Sequence, residues 1–201
     1  MYYMGLGRNV IIKQELEVAE ILTAFETGNR YSILDERGSK ILYAYEDESN
    51  FIGKQIFGQH RGVKLHLLDT NGNELLSIDR PFYFLKSKAI VYSNDGQIYG
   101  YIHQKKWLGT KQFDFLSLEG QLLFSCISKL PHKWTFKVFM GEQEVAQVLK
   151  KWSGFGKEAF TDTDTFSIDF GNINDDYTQY AILTTAFIID IRKLLKHQII
   201  V

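Results

Sequence analysis

The stretch YAILTTAFIIDIRKLL, residues 180–195, constrains this chain more than any other. Between Ala181 and Ile191 only Thr184, Thr185 and Asp190 are not apolar, and neither proline nor glycine interrupts the run. A helix lying on a protein surface shows a polar stripe every three or four residues. This one is apolar nearly all round until Arg192, so it requires a wrapper of lipid or of protein. Crossing the hydrocarbon layer takes about 20 residues of helix. The uninterrupted apolar run is shorter, and Asp190 would sit inside it. The segment therefore reads as a buried core helix, with a single membrane span as the alternative, and the rest of the chain must supply its sleeve.

The preceding residues have the period of strands. Val10, Ile11 and Ile12 open one. Residues 15–25 then read as a helix, with Leu16, Ala19 and Leu22 on one face, Glu15, Glu17 and Glu20 towards its start, and Gly28 and Asn29 ending it. Five hairpins follow. Residues 30–34 pair with 40–45 about Gly38, 64–68 with 74–78 about Gly72, and 88–92 with 98–102 about Gly96. Residues 112–116 pair with 122–127 about Gly120, and 134–139 with 145–149 about Gly141. Residues 165–170 add a further strand. The spacing is irregular and no signature residues recur, which excludes a solenoid or propeller. A meander this long folds into two packed sheets or closes into a barrel, because closure removes its edges. A barrel too wide for its own side chains to fill accommodates a helix, which satisfies both halves of the sequence.

The 201 residues are read as a single domain over 1–201. With 15 Phe, 11 Tyr and 3 Trp the composition favours strands and a wide core. The formal net charge of -1 argues against a broad nucleic-acid binder, so no nucleic-acid partner is expected. Cys126 is the only cysteine, which excludes an intrachain disulfide framework, and its strand-like setting makes it a core thiol. No basic region followed by an apolar run marks a signal peptide at the start, so the expected location is cytoplasmic, peripheral at a membrane if membrane-bound. Nucleophile-elbow, phosphate-loop, dinucleotide and zinc-protease motifs are all missing, and the five histidines lack metal-ligand spacing, so no enzyme activity is expected.

Four stretches carry a family resemblance. AFETGNRYSI (24–33) is close to the pattern GFET-x-N-x-Y-x-I, LYAYEDES (42–49) contains A-x-E, and LSIDRPF (76–82) contains RPF. DTDTFSIDF (162–170) followed by AFIID (186–190) is close to DAD-x-F-x-I-x-F followed by FLIDF. In this order they resemble the phospholipid scramblase family, within the wider Tubby-like and LURP-one-related group. The resemblance implies a mainly β fold, a twelve-stranded antiparallel closed barrel around a C-terminal hydrophobic helix. It also implies a scramblase-like function at membranes, by phospholipid binding or transbilayer lipid movement. The alternative is a soluble phosphoinositide- or protein-binding regulatory module. The proline-rich tail and palmitoylated cysteine cluster of many animal scramblases are not found here, so anchoring by dual acylation is not expected.

The resemblance also implies a calcium site at Asp162, Asp164 and Asp169; nearby Asp175 or Asp176 are the additional ligands such a site would draw on. Oxygen ligands in a short loop suit calcium. The spacing is not that of an EF-hand, since Phe166 and Ile173 stand where its fifth and twelfth positions would place ligands. The bland reading is a polar loop feeding a half-buried strand, with Ser167 and Asp169 on one face and Phe166, Ile168 and Phe170 on the other. Candidate headgroup ligands are Arg80, Lys105, Lys106, Lys150 and Lys151. Several lysines neighbour tryptophans (Trp107, Trp134, Trp152), which suits an anionic phospholipid surface as partner. Solvated loops are the plain alternative, an ion pair to Asp79 or Glu46 is the alternative for Arg80, and a protein partner is also compatible.

Overall fold

The computed structural model describes residues 5–15, 27–47, 62–82, 86–106, 108–129, 135–150 and 165–197, with the backbone alone at 27, 28, 150 and 190–197. Twelve strands close into one antiparallel barrel in which every strand pairs with its sequence neighbours and the first with the last. They are β1 (Asn9–Glu15), β2 (Thr27–Leu34), β3 (Lys40–Asp47), β4 (Val63–Leu68), β5 (Glu74–Arg80) and β6 (Lys88–Ser93). The second half is β7 (Ile98–Lys106), β8 (Lys111–Leu116), β9 (Leu122–Ser128), β10 (Thr135–Met140), β11 (Gln143–Lys150) and β12 (Thr165–Asp169). The helix α1 spans Asp176–His197. The five expected hairpins are β2–β3, β4–β5, β6–β7, β8–β9 and β10–β11.

The helix expected over 15–25 falls mostly outside the described residues. Its first residue, Glu15, is the last of β1, opposite Arg30 of β2. Paired on both sides, by β12 and by β2, β1 draws polar Lys13, Gln14 and Glu15 into the ladder, where hydrogen bonding outweighs local helix preference.

Side chains alternate between the interior and the outer face. Interior positions include Leu42 and Ala44 of β3, Leu65 and Leu67 of β4, Leu76 and Ile78 of β5, and Ala89 and Val91 of β6. On the opposite wall they become aromatic, with Phe113, Phe115, Phe124, Phe136 and Phe166. Phe115 needs the space above Gly100, since a Cβ there would collide with its ring. The large residue on β8 thus answers the missing side chain on β7, and the ring stacks on Phe124 at 5.3 Å. Lys64, Asp79, Lys88 and Lys137 point outward and are exposed. A transmembrane barrel carries an apolar band on its outer face; here that face is charged and the apolar one is inside.

Twelve strands make a bore wider than the eight-stranded barrels that side chains alone fill. Helix α1 fills it. Every residue from Tyr180 to Ile189 is buried. Thr184 and Thr185 satisfy their hydroxyls within the helix, both donating to the Ala181 carbonyl at 2.9 and 2.8 Å, so neither needs water or a polar partner in the wall. Asp175 caps the N-terminus by accepting the Thr178 N–H at 2.8 Å. Gln179 locks the entry: it accepts the Leu6 N–H at 3.0 Å and donates to the Gly7 and Ile173 carbonyls at 2.9 and 2.8 Å. Phe187, further along, packs edge-on against Tyr31 of β2 and Phe166 of β12. Among the described residues no helix is long and apolar enough to cross a membrane.

Candidate functional site: the two rims of the barrel

An up-and-down barrel sorts its connections by parity. The tight hairpins leave even-numbered strands and all lie at one rim, together with the start of α1. Odd-numbered strands end, and even-numbered strands begin, at the other.

Charge follows this division. The hairpin rim carries Asp35, Glu36, Asp69, Asp95, Glu119, Glu142 and Glu144, then Asp175 and Asp176 at the helix start, against Arg8 and Arg37, while the Lys40 ammonium reaches along the wall to within 3.1 Å of the Glu15 carboxylate of β1. Several of these carboxylates organise their own turns. Asp35 accepts the Arg37 and Ser39 N–H groups, and Asp69 those of Asn71 and Asn73. The Ser93 hydroxyl, with the Gln97 N–H, holds Asp95 below the usual carboxylate range, and the Ser117 hydroxyl does the same for Glu119. The rim stays anionic.

Along β5 to β11 the opposite rim is basic. Arg80 ends β5, Lys88 opens β6 after exposed Lys86, Lys105 and Lys106 end β7, Lys111 opens β8, exposed Lys129 follows β9 and Lys150 ends β11. Along β1 to β3 the same rim carries Glu15 and Asp47. Among the described residues, charge is thus separated along the barrel axis. The interior also turns polar towards this rim. Successive inward positions read Leu42, Ala44, Glu46 on β3; Leu76, Ile78, Arg80 on β5; and Phe124, Cys126, Ser128 on β9, all buried.

The rim places the candidate headgroup residues unequally. Lys105 and Lys106 are exposed at the end of β7. Arg80 is fully buried in the wall, with 0% exposure. Lys150 closes β11 by its backbone, and Lys151 lies outside the described residues. Of the candidate calcium ligands, Asp162 and Asp164 also lie outside. Asp169 accepts the Gly171 N–H at 2.8 Å and sits 3.6 Å from the Arg8 guanidinium, and the Asp175 carboxylate is engaged in the helix cap. No group of three or more His, Cys, Asp or Glu capable of holding a metal occurs among the described residues. Asp169, its neighbour Ser167, Arg8 and Glu36 line a surface cleft of about 400 Å³ at the hairpin rim. The described carboxylates here serve the turn and the helix start, and they do not assemble a calcium ligand set.

Among the described residues, Cys126 and His66 have structural employment. Burial pushes the Cys126 thiol far above its ordinary range, with Asp114 adding to the effect, so no thiolate is available as a nucleophile. His66 lies 2.8 Å from the Glu74 carboxylate and stacks on Tyr45.

Residues 3–193 match the family model described as Scramblase. The chain belongs to the scramblase family. It is 30% identical over 206 residues to human phospholipid scramblase 2, covering 94% of this chain and 68% of the relative. It is 29% identical over 205 residues to mouse phospholipid scramblase 1, covering 94% of this chain and 61% of that protein. The chain thus spans about three fifths of the length of the mouse and rat relatives it matches. Among solved structures, the X-ray structure of a protein from Arabidopsis thaliana shares the fold at a TM-score of 0.51, with 16% identity over 94% of each chain.

Within this scramblase-family barrel His103 reports the field of the basic arc. It lies on the outer face of β7, opposite Asp114 of β8 and Lys88 of β6. Burial, followed by Lys88 and Lys105, holds its imidazole below the ordinary value, with Asp114 opposing. The folded protein therefore resists a proton that the unfolded chain accepts. The group's contribution to stability is present above the unfolded imidazole value of about 6.5 and is lost as pH falls through the folded value. Lys88→Gln with Lys105→Gln is expected to raise the His103 titration midpoint followed by NMR. An unchanged midpoint would show that these lysines do not set the field there.

Proposed function

We propose that this chain binds phospholipid headgroups at the surface of anionic membranes, presenting the basic arc of its barrel to the lipid. The segregation of charge between the two rims carries this reading. A lysine near an anionic bilayer contributes about 1 kcal/mol of attraction, and the lysines at the ends of β6, β7 and β8 approach a surface together if the barrel stands on that rim. Lys105 and Lys106 are the headgroup ligands; Lys150 and Lys151 extend the arc at β11, and Arg80 contributes its charge from within the wall. Membership of the scramblase family and its likeness to proteins named phospholipid scramblases favour lipid as the partner. The closed barrel around a central helix also supports placing the family in the Tubby-like and LURP-one-related group.

Binding, rather than transbilayer movement, is the activity proposed for a single copy. Moving a headgroup across a bilayer requires a polar path, and α1 occupies the interior where a path through this barrel would run. Neither activity requires covalent chemistry, and the proposed role is non-enzymatic. Flotation with vesicles of phosphatidylcholine alone and of phosphatidylcholine with phosphatidylserine tests the reading. Binding to the anionic vesicles that weakens as salt rises is expected, and no binding to either would sink it. A reconstituted lipid-flip assay, with and without calcium, tests movement separately.

A further inference from the structure

The basic arc includes exposed apolar side chains. Among the exposed large hydrophobic residues, Phe82 and Leu108 are 52% and 73% exposed. Phe82 follows β5 directly after Pro81, and Leu108 lies between β7 and β8. Both therefore sit at the basic rim. Their surroundings are fixed by register. Strand β5 pairs with β6, β6 with β7, and β7 with β8. Lys88 is opposite His103, and the Gln104 N–H donates to the Ser87 carbonyl at 2.9 Å, so one further step brings Lys86 level with Lys105. The four strands span about 14 Å at the usual strand spacing. Within that width two exposed apolar side chains flank four lysines.

We propose that the β5–β8 sector is the membrane-docking edge of this barrel: Phe82 and Leu108 enter the interfacial layer of an anionic bilayer while Lys86, Lys88, Lys105 and Lys106 meet its phosphates. Charge complementarity selects the occupant. An apolar protein groove would gain nothing from a ring of ammonium groups, whereas a phospholipid interface places anionic oxygens directly above hydrocarbon. Asp79, the outward carboxylate of β5, stands opposite Lys64 and Asp114 is buried on β8, so neither reverses the sign of the edge. The opposite rim provides an internal comparison. Leu118 and Leu122 are similarly exposed, at 57% and 56%, but stand among carboxylates and are not expected to meet anionic lipid.

The inference rests on the reading of this chain as a phospholipid binder, and one set of vesicle titrations separates the two. Phe82→Ala with Leu108→Ala is expected to weaken binding to phosphatidylserine-containing vesicles about tenfold while leaving the salt dependence unchanged, because apolar contact is not screened. Lys86→Gln with Lys105→Gln is expected to weaken it by about fivefold per lysine and to flatten the salt dependence. Leu118→Ala with Leu122→Ala should bind as the parent does. All four parent residues of the docking variants are exposed, so unchanged melting temperatures verify that the variants remain folded. If the parent binds and both docking variants bind equally well, the docking edge is wrong and the headgroup reading stands. Loss of binding in the Leu118/Leu122 variant alone would place the contact on the other rim and likewise overturn the proposal. A parent protein that binds no vesicle overturns both.

Discussion

Phe187→Ala is expected to lower the thermal midpoint by about 6–20 °C. The side chain is 1% exposed, at the centre of α1, with its ring edge-on to Tyr31 at 5.3 Å and to Phe166 at 5.8 Å. Removing a buried phenylalanine costs about 3–5 kcal/mol, made up of lost transfer free energy and the cavity left behind. A chain of this length loses about 2–4 °C per kcal/mol. The wall cannot collapse into the gap, because Tyr31 and Phe166 belong to strands held in a closed ladder on either side of β1. Since total stability is about 5–15 kcal/mol, the loss is a large part of it. Phe187→Leu keeps most of the volume and should cost less. A parental midpoint for Phe187→Ala, measured without detergent, would mean that α1 does not fill the barrel in solution. The variant also separates packing from lipid contact. Below its melting transition it should still bind anionic vesicles like the parent, since Phe187 touches only the interior.

The strands and their order were legible because hairpin chemistry is local. Glycines at Gly38, Gly72, Gly96, Gly120 and Gly141 adopt positive φ, and alternation on either side of each turn reports the buried face. The central helix was legible because a run such as 181–189 can only be enclosed. The basic rim proposed to meet lipid was not, for a topological reason. Lys86, Lys88, Lys105, Lys106 and Lys111 are scattered in sequence, and only the parity of a closed meander brings them to one rim. In the same way, Asp35, Asp69, Asp95 and Glu119 look like ordinary turn residues until closure gathers them on the other. Phe82 could be read from sequence only as part of an RPF element at a strand end. Its exposure follows from Arg80 taking the last inward position of β5, after which Pro81 turns the chain out of the ladder. The contacts of Asp169 with Gly171 and Arg8 were not legible either, because they depend on the turn beyond β12, which aims α1 into the bore.

That turn yields the second large effect. Gly171→Ala is expected to destabilise the protein by about 2–5 kcal/mol, well beyond the cost of alanine at the other turn glycines. Gly171 has φ of 59°, a left-handed conformation costing about 1–2 kcal/mol for a residue with a Cβ. Its methyl group would also collide with the Val145 carbonyl oxygen of β11. Neither side yields readily. The Gly171 N–H donates to the Asp169 carboxylate, the Ile173 N–H closes the turn on the Phe170 carbonyl at 3.0 Å, and the Ile173 carbonyl in turn accepts from Gln179. Displacing Gly171 therefore disturbs the hydrogen bonds that seat the first turn of α1. Gly96 provides the control: its φ is 80°, but a Cβ there would meet nothing within 4 Å. Gly96→Ala should lose only the conformational part, about 1–2 kcal/mol. Chemical denaturation of the two variants measures the difference directly. Equal losses would mean that the Val145 contact relaxes freely and that the turn does not fix the entry of the helix; a larger loss at Gly171 means that the strand-to-helix corner holds the filling of the barrel in place.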